Sequence, residues 1–326
     1  MAIIITGGAG YIGSHTAKYL ARLGLEPVVV DDLRTGHRDA VRWGPLVECD
    51  IANSDALSEV FAQYRPEAVI HFAASCYVGE SMTHPEKYFR NNVTGTIALL
   101  DAMRGAGVNK IVTSSTCAIY GEPERLPITE ETPPRPVNPY GESKLFVERV
   151  LEWYGRAYGL QWAALRYFNA AGADPEGELS ERHDPETHLI PLAIQAALGT
   201  GPPLNILGDD YATPDGSAVR DFVHVSDLAE AHLAAFQYLQ AGGASGPFNL
   251  GTGQGHSVFE VVRAVEAATG RSMPVRIVGR RAGDPPVLVA NGTRAKDVLG
   301  WIPKCSTLAN IVKTAVRSPV FSPGLS

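Results

Sequence analysis

The chain is poor in cysteine: its 326 residues contain only Cys49, Cys76, Cys117 and Cys305. They are far apart and form no CxxC pair, which argues against a disulfide framework and a cysteine zinc site. No apolar run approaches the roughly 18 residues that cross a bilayer. A basic excess is also missing, because the net charge is −7, so we expect no general nucleic-acid-binding surface.

The sequence shows no secretory leader either, because it enters a predicted strand without a basic segment ahead of it. We therefore expect no signal peptide and a reducing, cytoplasmic location. Hydrophobic content of 45% and charged content of 19% are typical of globular proteins. The length predicts two lobes.

What the sequence does contain begins with a strand, a glycine-rich turn and a helix. Residues 1–6 are apolar or β-favouring, Gly7, Gly10 and Gly13 follow, and helical periodicity continues to Gly24. Such glycines permit a tight turn, close approach of backbone N–H groups to a pyrophosphate, and close packing of helix on strand. The loop predicts a dinucleotide site, although the same spacing on its own would also suit an ordinary turn.

The next predicted strands support the dinucleotide site. Residues 27–30 are apolar and end in Asp31 and Asp32, where an acidic side chain can bind the hydroxyls of an adenosine ribose. Asp50 follows a third strand and is placed to meet the adenine edge. A fourth strand runs into residues 73–75, whose small side chains suit close passage of a cofactor.

The predicted chemical centre is a tyrosine and a lysine four positions apart. Tyr140 and Lys144 open a strongly periodic helix that continues to Tyr158, so their side chains share one face. An ammonium beside the phenol favours phenolate, which can take a proton from a sugar hydroxyl while hydride leaves the same carbon. Thr116, at the end of another predicted strand, would share the hydrogen bond to that oxygen. Alone, such a pair is more often helix surface, but the cofactor loop upstream favours the catalytic interpretation.

We place the boundary between a cofactor-binding domain, residues 1–172, and a substrate lobe, residues 173–326, where the pattern turns polar and loop-like. Segments near 220–250 are expected to return to the first domain. One of them is a helix that we expect Ser226 or Asp227 to cap.

Charged residues of the second lobe have two interpretations. Arg220 and Arg281 could clamp a diphosphate, since guanidinium binds such oxygens bidentately, but spacing alone favours surface ion pairs. His188 and His224 are interpreted as packing or hydrogen-bonding residues, and we expect no metal site.

Seven segments carry a family resemblance: GGAGYIG at 7–13, SSTCAIYG at 114–121, NPYGESK at 138–144, RYFNAAG at 166–172, RDFVHVSDLA at 220–229, FNLGTG at 248–253 and RRAGDPP at 280–286. Together they resemble the UDP-glucose 4-epimerase family, a group of extended short-chain dehydrogenases/reductases, over nearly the whole chain. The resemblance implies an α/β fold, with a Rossmann-type doubly wound parallel sheet and a smaller C-terminal α/β substrate-binding lobe. It also implies NAD as cofactor and a homodimer joined through helices near 94–104 and 145–157.

The resemblance further implies which residues contact the ligands. The expected cofactor contacts are Gly7, Gly10, Tyr11, Ile12, Gly13, Asp31, Asp32, Asp50, Ile51, Phe72, Ala73, Ala74, Cys76, Asn91, Tyr140, Lys144, Tyr167 and Phe168. The expected substrate contacts are Thr116, Tyr140, Asn169, His188, Leu189, Asn205, Ile206, Leu207, Arg220, Arg281, Asp284 and Leu288. Tyr140 would be the base, with Thr116 as its hydroxyl partner. Two positions depart from the best-known members, which have serine at the place of Thr116 and asparagine at that of His188.

The implied reaction interconverts UDP-galactose and UDP-glucose. Because the C4 hydrogen of a hexose is not acidic, C4 is inverted by oxidation to a 4-keto sugar, rotation of that sugar, and reduction on the opposite face. A UDP-N-acetylhexosamine or UDP-pentose epimerase and a non-catalytic NAD-binding regulator stay open as alternatives. A 4,6-dehydratase is disfavoured, because Cys117 and Ala118 stand where its acid pair would follow the threonine. Leu288 is expected to face the sugar and to favour UDP-galactose over UDP-N-acetylgalactosamine.

Overall fold

The computed structural model describes residues 1–281 and 283–321. Its strands are β1 (Ala2–Thr6), β2 (Glu26–Asp31), β3 (Leu46–Glu48), β4 (Ala68–His71), β5 (Lys110–Thr116), β6 (Gln161–Tyr167), β7 (Asn169–Ala171), β8 (Leu204–Leu207), β9 (Val219–His224), β10 (Gly246–Leu250), β11 (Gly255–Ser257), β12 (Val275–Val278) and β13 (Val287–Leu288). Its α-helices are α1 (Tyr11–Arg22), α2 (Ser54–Tyr64), α3 (Val78–Thr83), α4 (Pro85–Tyr88), α5 (Gly95–Gly105), α6 (Pro139–Tyr158), α7 (Leu189–Leu198), α8 (Val225–Gln240), α9 (Val258–Thr269), α10 (Thr293–Leu299) and α11 (Leu308–Val316).

The main sheet has seven parallel strands in the order β3-β2-β1-β4-β5-β6-β10. The chain leaves β1 toward β2 on one side and reaches β4 on the other, so a crevice opens at the carboxyl ends of β1 and β4. The α/β, Rossmann-type fold expected from the motifs is confirmed.

The apolar run of β1 explains why this sheet is parallel and covered on both faces. Ile3 and Ile5 pack in one core with Leu20 of α1 and Phe236 of α8. Ile4 points to the other core, which α2, α5 and α6 cover. Both faces of the strand are therefore shielded from water, and a ligand can reach polar groups only at the strand ends.

The second lobe is built around β9, which pairs with β7, β11 and β13. A separate two-stranded sheet joins β8 and β12. Helices α7, α9 and α11 pack together in a further core that includes Ile194, Val261 and Ile311.

Strand β10 extends the main sheet, because it pairs with β6. Helix α8 packs on the same sheet, in the core that it shares with α1. The division after residue 172 stays a prediction. The expected cap of α8 was wrong: the His224 side chain accepts the Ser226 N–H. Asp227 cannot serve, since its carboxylate already accepts the N–H of Cys305 and the hydroxyl of Ser306. Across the described ranges, no helix has the length and apolarity needed to cross a membrane.

Candidate active site

The glycine loop closes tightly over the end of β4. Gly7 has φ +69°, and a Cβ there would lie 2.6 Å from the Ala73 nitrogen. A Cβ on Gly13 would lie 2.2 Å from the Gly7 oxygen. A side chain at Gly7 would push the loop away from the segment after β4, and one at Gly13 would push α1 away from the loop. The loop therefore needs glycine at both positions to present its backbone N–H groups at the start of α1.

Asp31 lies beside this loop at the end of β2 and is buried. Its carboxylate accepts the N–H of Ala9, at 3.0 Å, and that of Leu33, at 2.8 Å. Burial raises the pKa of Asp31, and the two backbone donors oppose that rise. Each carboxylate oxygen has a second lone pair, so Asp31 can still accept hydrogen bonds from a ribose.

Arg34 is a residue of this region that the sequence did not reveal. Its guanidinium contacts the carboxylate of Asp32, lies 3.5 Å from the Asp50 carboxylate and donates to the Asn91 side chain at 3.0 Å. The structure thus brings three predicted cofactor residues around one guanidinium: Asp32, which follows β2, Asp50, which follows β3, and Asn91, which precedes α5. No local sequence pattern marks Arg34, because two of its three partners, Asp50 and Asn91, are distant in the chain.

The structure places the remaining predicted cofactor residues in different surroundings. Tyr11 donates its hydroxyl to the Gly172 carbonyl at 2.6 Å, and the Phe72 ring packs on His232, whose ring also contacts the Tyr167 hydroxyl. The other members are Ile12 (half-buried), Ile51 (buried), Ala74 (half-buried), Cys76 (exposed) and Phe168 (buried).

Asn92 was also missed. It lies in a π-helical turn, Phe89–Thr94, that precedes α5, a type of turn that is frequent at functional sites. The amide accepts the Ser75 N–H at 2.8 Å and donates to the Ser75 carbonyl and the Ser143 hydroxyl. It thereby ties the segment after β4 to helix α6.

Helix α6 begins beside the end of β5. Asn138 caps it by accepting the Gly141 N–H at 2.8 Å, and Pro139 occupies its first turn, where a missing N–H costs nothing. The Lys144 ammonium, 4% exposed, donates to the backbone carbonyl and the hydroxyl of Ser114 at 2.9 and 3.1 Å. An ammonium has three N–H groups, so one is left for a ligand hydroxyl. Burial lowers the pKa of Lys144 to about 8.

Tyr140 lies beside Thr116 and one helical turn from Lys144. Thr116 is buried at the end of β5, and Tyr140 lies one turn ahead of Lys144 in α6. Burial raises the pKa of Tyr140 well above its usual value, and a hydrogen bond with the Thr116 side chain opposes that rise. A nearby positive charge would favour the phenolate further.

Three of the predicted substrate residues lie close together in the second lobe. Arg220 donates to the Asp284 carboxylate at 2.6 Å, and Leu288 lies opposite Arg220 in the pairing of β13 with β9. Leu288 also packs against a cluster that includes Cys117 and Phe168. The specificity candidate therefore lies next to the turn that follows Thr116.

Arg281 is exposed and lines a cavity of about 490 Å³ together with Asp284, Tyr211 and Arg280. Arg280 was not predicted. It pairs with Asp210, and its guanidinium lies 4.3 Å from the centre of the Tyr211 ring. The cavity thus has two arginines that can face an anion.

The other predicted substrate residues differ in what they can offer. Asn169 donates its amide to the Asp221 carbonyl at 3.0 Å, Asn205 is exposed in β8, and Leu207 and Leu189 are half-buried. The Ile206 side chain lies in the core of the second lobe, so only its backbone can face a ligand.

His188 lies in a group of four ionisable side chains, which the sequence interpretation did not foresee. Its Nδ1 is 3.0 Å from Glu181 and 2.9 Å from Glu186, and the His183 ring packs on it. Burial lowers the pKa of His188, but the two carboxylates outweigh burial and raise it to about 10. His224 instead is buried and hydrogen-bonded to Thr314.

The comparison with known proteins accounts for this arrangement. Residues 3–251 match the sequence profile of the NAD dependent epimerase/dehydratase family. The chain belongs to this family. The UDP-glucose 4-epimerase of Lacticaseibacillus casei is 50% identical over 97% of this chain and 96% of its own length. These findings confirm the family that the motifs indicated.

Two solved structures of the family are closely similar. The UDP-glucose 4-epimerase of Brucella ovis in complex with NAD has a TM-score of 0.96 and 53% identity, and the match covers 98% of each chain. That of Bifidobacterium longum in complex with NAD+ and UDP has a TM-score of 0.93 and 35% identity, and the match covers 99% of each chain.

NAD is the cofactor of this family, and the residues present fit it. Gly7 and Gly13 have no space for a side chain, Asp31 lies where an adenosine ribose needs an acceptor, and Lys144 keeps one free N–H near Tyr140. A carboxylate at position 31 would repel a 2′-phosphate, which favours NAD over NADP.

Proposed function

We propose that the protein interconverts UDP-galactose and UDP-glucose. The observation that carries the proposal is the group formed by the buried Thr116 and Lys144 and the half-buried Tyr140 at the carboxyl end of β5, beside the cofactor loop. Relatives that are half identical over nearly the full length and are named UDP-glucose 4-epimerase support it.

When bound, NAD would supply a hydride acceptor and donor for C4 of the sugar. Tyr140 takes the proton of the 4-hydroxyl as the 4-keto sugar forms, and returns it when the opposite face is reduced. The Thr116 hydroxyl orients the same oxygen. The Lys144 ammonium, fixed by Ser114, stabilises the phenolate.

The second lobe holds the nucleotide. Arg220, Arg280 and Arg281 provide guanidinium groups that suit a diphosphate, and Asn169 provides a polar side chain beside Arg220. These groups lie away from Tyr140, so the nucleotide is held firmly while the 4-keto sugar rotates about its diphosphate tether. Leu189, His188 and the segment 205–207 complete the proposed substrate contacts.

The sugar itself is set by Leu288, which offers a branched apolar surface and no hydrogen bond. An acetamido group packed against it would leave polar atoms unpaired, so we favour hexoses without that group over UDP-N-acetylhexosamines.

We also propose a homodimer that uses α5 and α6. The outer face of α6 exposes Phe146, Trp153 and Tyr158, which is more aromatic surface than a solvated helix needs. The cysteines are free in the structure, which supports the proposed reducing, cytoplasmic location.

The direct test is to incubate the purified protein with UDP-galactose, without added NAD, and to measure UDP-glucose. We expect turnover that the Tyr140→Phe variant loses. Turnover of UDP-N-acetylgalactosamine alone would favour the second epimerase class. A protein that binds NAD but converts neither sugar would be the non-catalytic regulator.

A further inference from the structure

Four possible metal ligands converge in the segment between Gly172 and α7. Glu181, His183, Glu186 and His188 each contribute one ligand atom to a group whose atoms all lie within 4.8 Å of one another; the centre of this group is called the common point below. All four lie within eight consecutive residues that form neither helix nor strand. In a regular helix or strand, side chains at these four positions would point in different directions.

The distances between nitrogen and oxygen ligands suit a tetrahedral ion. His188 Nδ1 lies 3.0 Å from Glu181 Oε1 and 2.9 Å from Glu186 Oε1, whereas His183 Nδ1 lies 3.4 and 3.5 Å from the two carboxylates. A tetrahedron with metal–ligand bonds of about 2.0–2.1 Å has edges of about 3.3–3.4 Å. Small shifts of these side chains would therefore complete the geometry.

His183 provides the second observation. Its Nδ1 is buried and has no hydrogen-bond partner, because the nearby carboxylate oxygens lie outside hydrogen-bond geometry. A buried polar atom without a partner costs free energy. A metal ion at the common point would satisfy this lone pair.

The charge of the group points the same way. Glu181 and Glu186 are nearly buried carboxylates, and within residues 1–281 and 283–321 their ionic partners are the imidazoles of His183 and His188, whereas no lysine or arginine pairs with either of them. An imidazole can give up its proton to a metal ion, which a lysine or arginine between the carboxylates would exclude. A second group of the chain shows the contrast. Asp174, Glu176 and Glu178 also cluster, but the Lys18 ammonium lies among them at 2.5 to 3.1 Å.

We propose that Glu181, His183, Glu186 and His188 bind one Zn²⁺ ion. His188 would bind it through Nδ1, the atom that faces the two carboxylates, which leaves Nε2 for the proposed substrate contact. Two imidazoles and two carboxylates in tetrahedral spacing suit zinc better than magnesium or calcium, which prefer oxygen ligands and higher coordination. Four protein ligands leave no open position, so the ion is structural and does not activate water.

The location of the site gives the ion a positioning role. The His183 ring packs edge-on against Tyr11 of the cofactor loop and against Tyr77, which follows β4. His188 directly precedes Leu189, the first residue of α7. Zinc would thus hold the segment that leads into α7 against the cofactor loop. Its loss should raise KM for the UDP-sugar more than it lowers kcat.

The first experiment measures zinc in the full-length protein by mass spectrometry, after removal of metal with EDTA and dialysis against Zn²⁺. We expect about one zinc per chain in the wild type and at most a tenth of that in His183→Gln and Glu181→Gln. His84→Gln is the matched control, since His84 also lies near a glutamate, Glu86, but is exposed. It should keep the zinc.

The second experiment keeps the proposal testable if a variant folds poorly. Wild-type protein that is freed of metal and then given Co²⁺ should show the intense visible bands of four-coordinate cobalt. Zn²⁺ should raise its melting temperature by several degrees, whereas it should leave that of Glu181→Gln unchanged. A wild type that takes up neither ion, or whose melting temperature ignores Zn²⁺, would overturn the site and leave two histidine–carboxylate ion pairs in its place.

Discussion

Gly141 lies so close to Ala118 that a Cβ on the glycine would stand 2.6 Å from the Ala118 carbonyl oxygen. Ala118, which lies in the turn that follows Thr116, thus contacts the first turn of α6, next to Tyr140. This contact, together with the Asn138 cap, sets how far the Tyr140 hydroxyl lies from the Thr116 hydroxyl.

Tyr140→Phe removes the proposed base and leaves the ring in place. We expect kcat to fall by about 10²- to 10⁴-fold, while bound NAD and the melting temperature stay nearly unchanged. Tyr158→Phe, at the exposed end of the same helix, is the control. Near-normal epimerisation by Tyr140→Phe would show that another group transfers the proton.

Gly13→Ala should empty the cofactor site, because the new Cβ would lie 2.2 Å from the Gly7 oxygen and force α1 away from the loop. The wild type should release about one NAD(H) per chain on denaturation, and the variant much less. Gly105→Ala, where a Cβ meets open space, should retain the cofactor. Release of NADP from the wild type would contradict the role of Asp31.

Leu288→Ser should narrow the preference for UDP-galactose over UDP-N-acetylgalactosamine. The hydroxyl can pair with an acetamido group, whose unpaired burial against leucine costs about 1–3 kcal/mol, or roughly 5- to 150-fold in kcat/KM. The measurement is kcat/KM for both substrates in both proteins. Equal wild-type values, or an unchanged ratio in the variant, would show that Leu288 is not the gate.

Glu148→Gln should destabilise the first domain strongly. Glu148 and Arg166, 7% and 6% exposed, form a buried ion pair, and Ser115 also donates to Glu148. The variant leaves the Arg166 charge uncompensated, which costs about 3–5 kcal/mol. The free energy of unfolding in urea measures this loss. Glu152→Gln, which breaks an exposed pair of the same helix, should cost less than about 1 kcal/mol.

The buried His71 makes the free energy of unfolding depend on pH in the acid range. Burial, with a smaller effect of the Lys144 ammonium, lowers the pKa of His71 to about 3, so the folded chain keeps a neutral ring where the unfolded chain is protonated. The free energy of unfolding should therefore fall as the pH decreases from about 6.5 toward 3, by up to about 1.4 kcal/mol per pH unit for this group.

The buried rings of His15, His224 and His232 contribute with the same sign. His71→Asn should be less stable at pH 7 but should lose less stability between pH 6 and 4.5. The exposed His84→Gln should follow the wild-type curve. An equal slope in His71→Asn would assign the acid sensitivity to other groups.

The sequence by itself determined the features that depend on neighbouring residues: strands, turns, helix faces and helix caps. The buried apolar run of β1, the glycines that follow it and the acidic end of β2 predict a cofactor crevice, because periodicity and turn geometry act within a few residues. The spacing of Tyr140 and Lys144 placed both on one helix face for the same reason. The Ser257 cap of α9, with Glu260 closing a capping box, is likewise local.

Only the tertiary structure decided which groups lie together where no helix or strand period relates them. Arg34 gathers Asp32, Asp50 and Asn91, and helix α8 takes its cap from His224, since Asp227 is held by residues near position 305. The meeting of Glu181, His183, Glu186 and His188 depends on the path of an irregular segment across the cofactor loop. Such paths are fixed by packing between elements remote in sequence, which no short pattern contains.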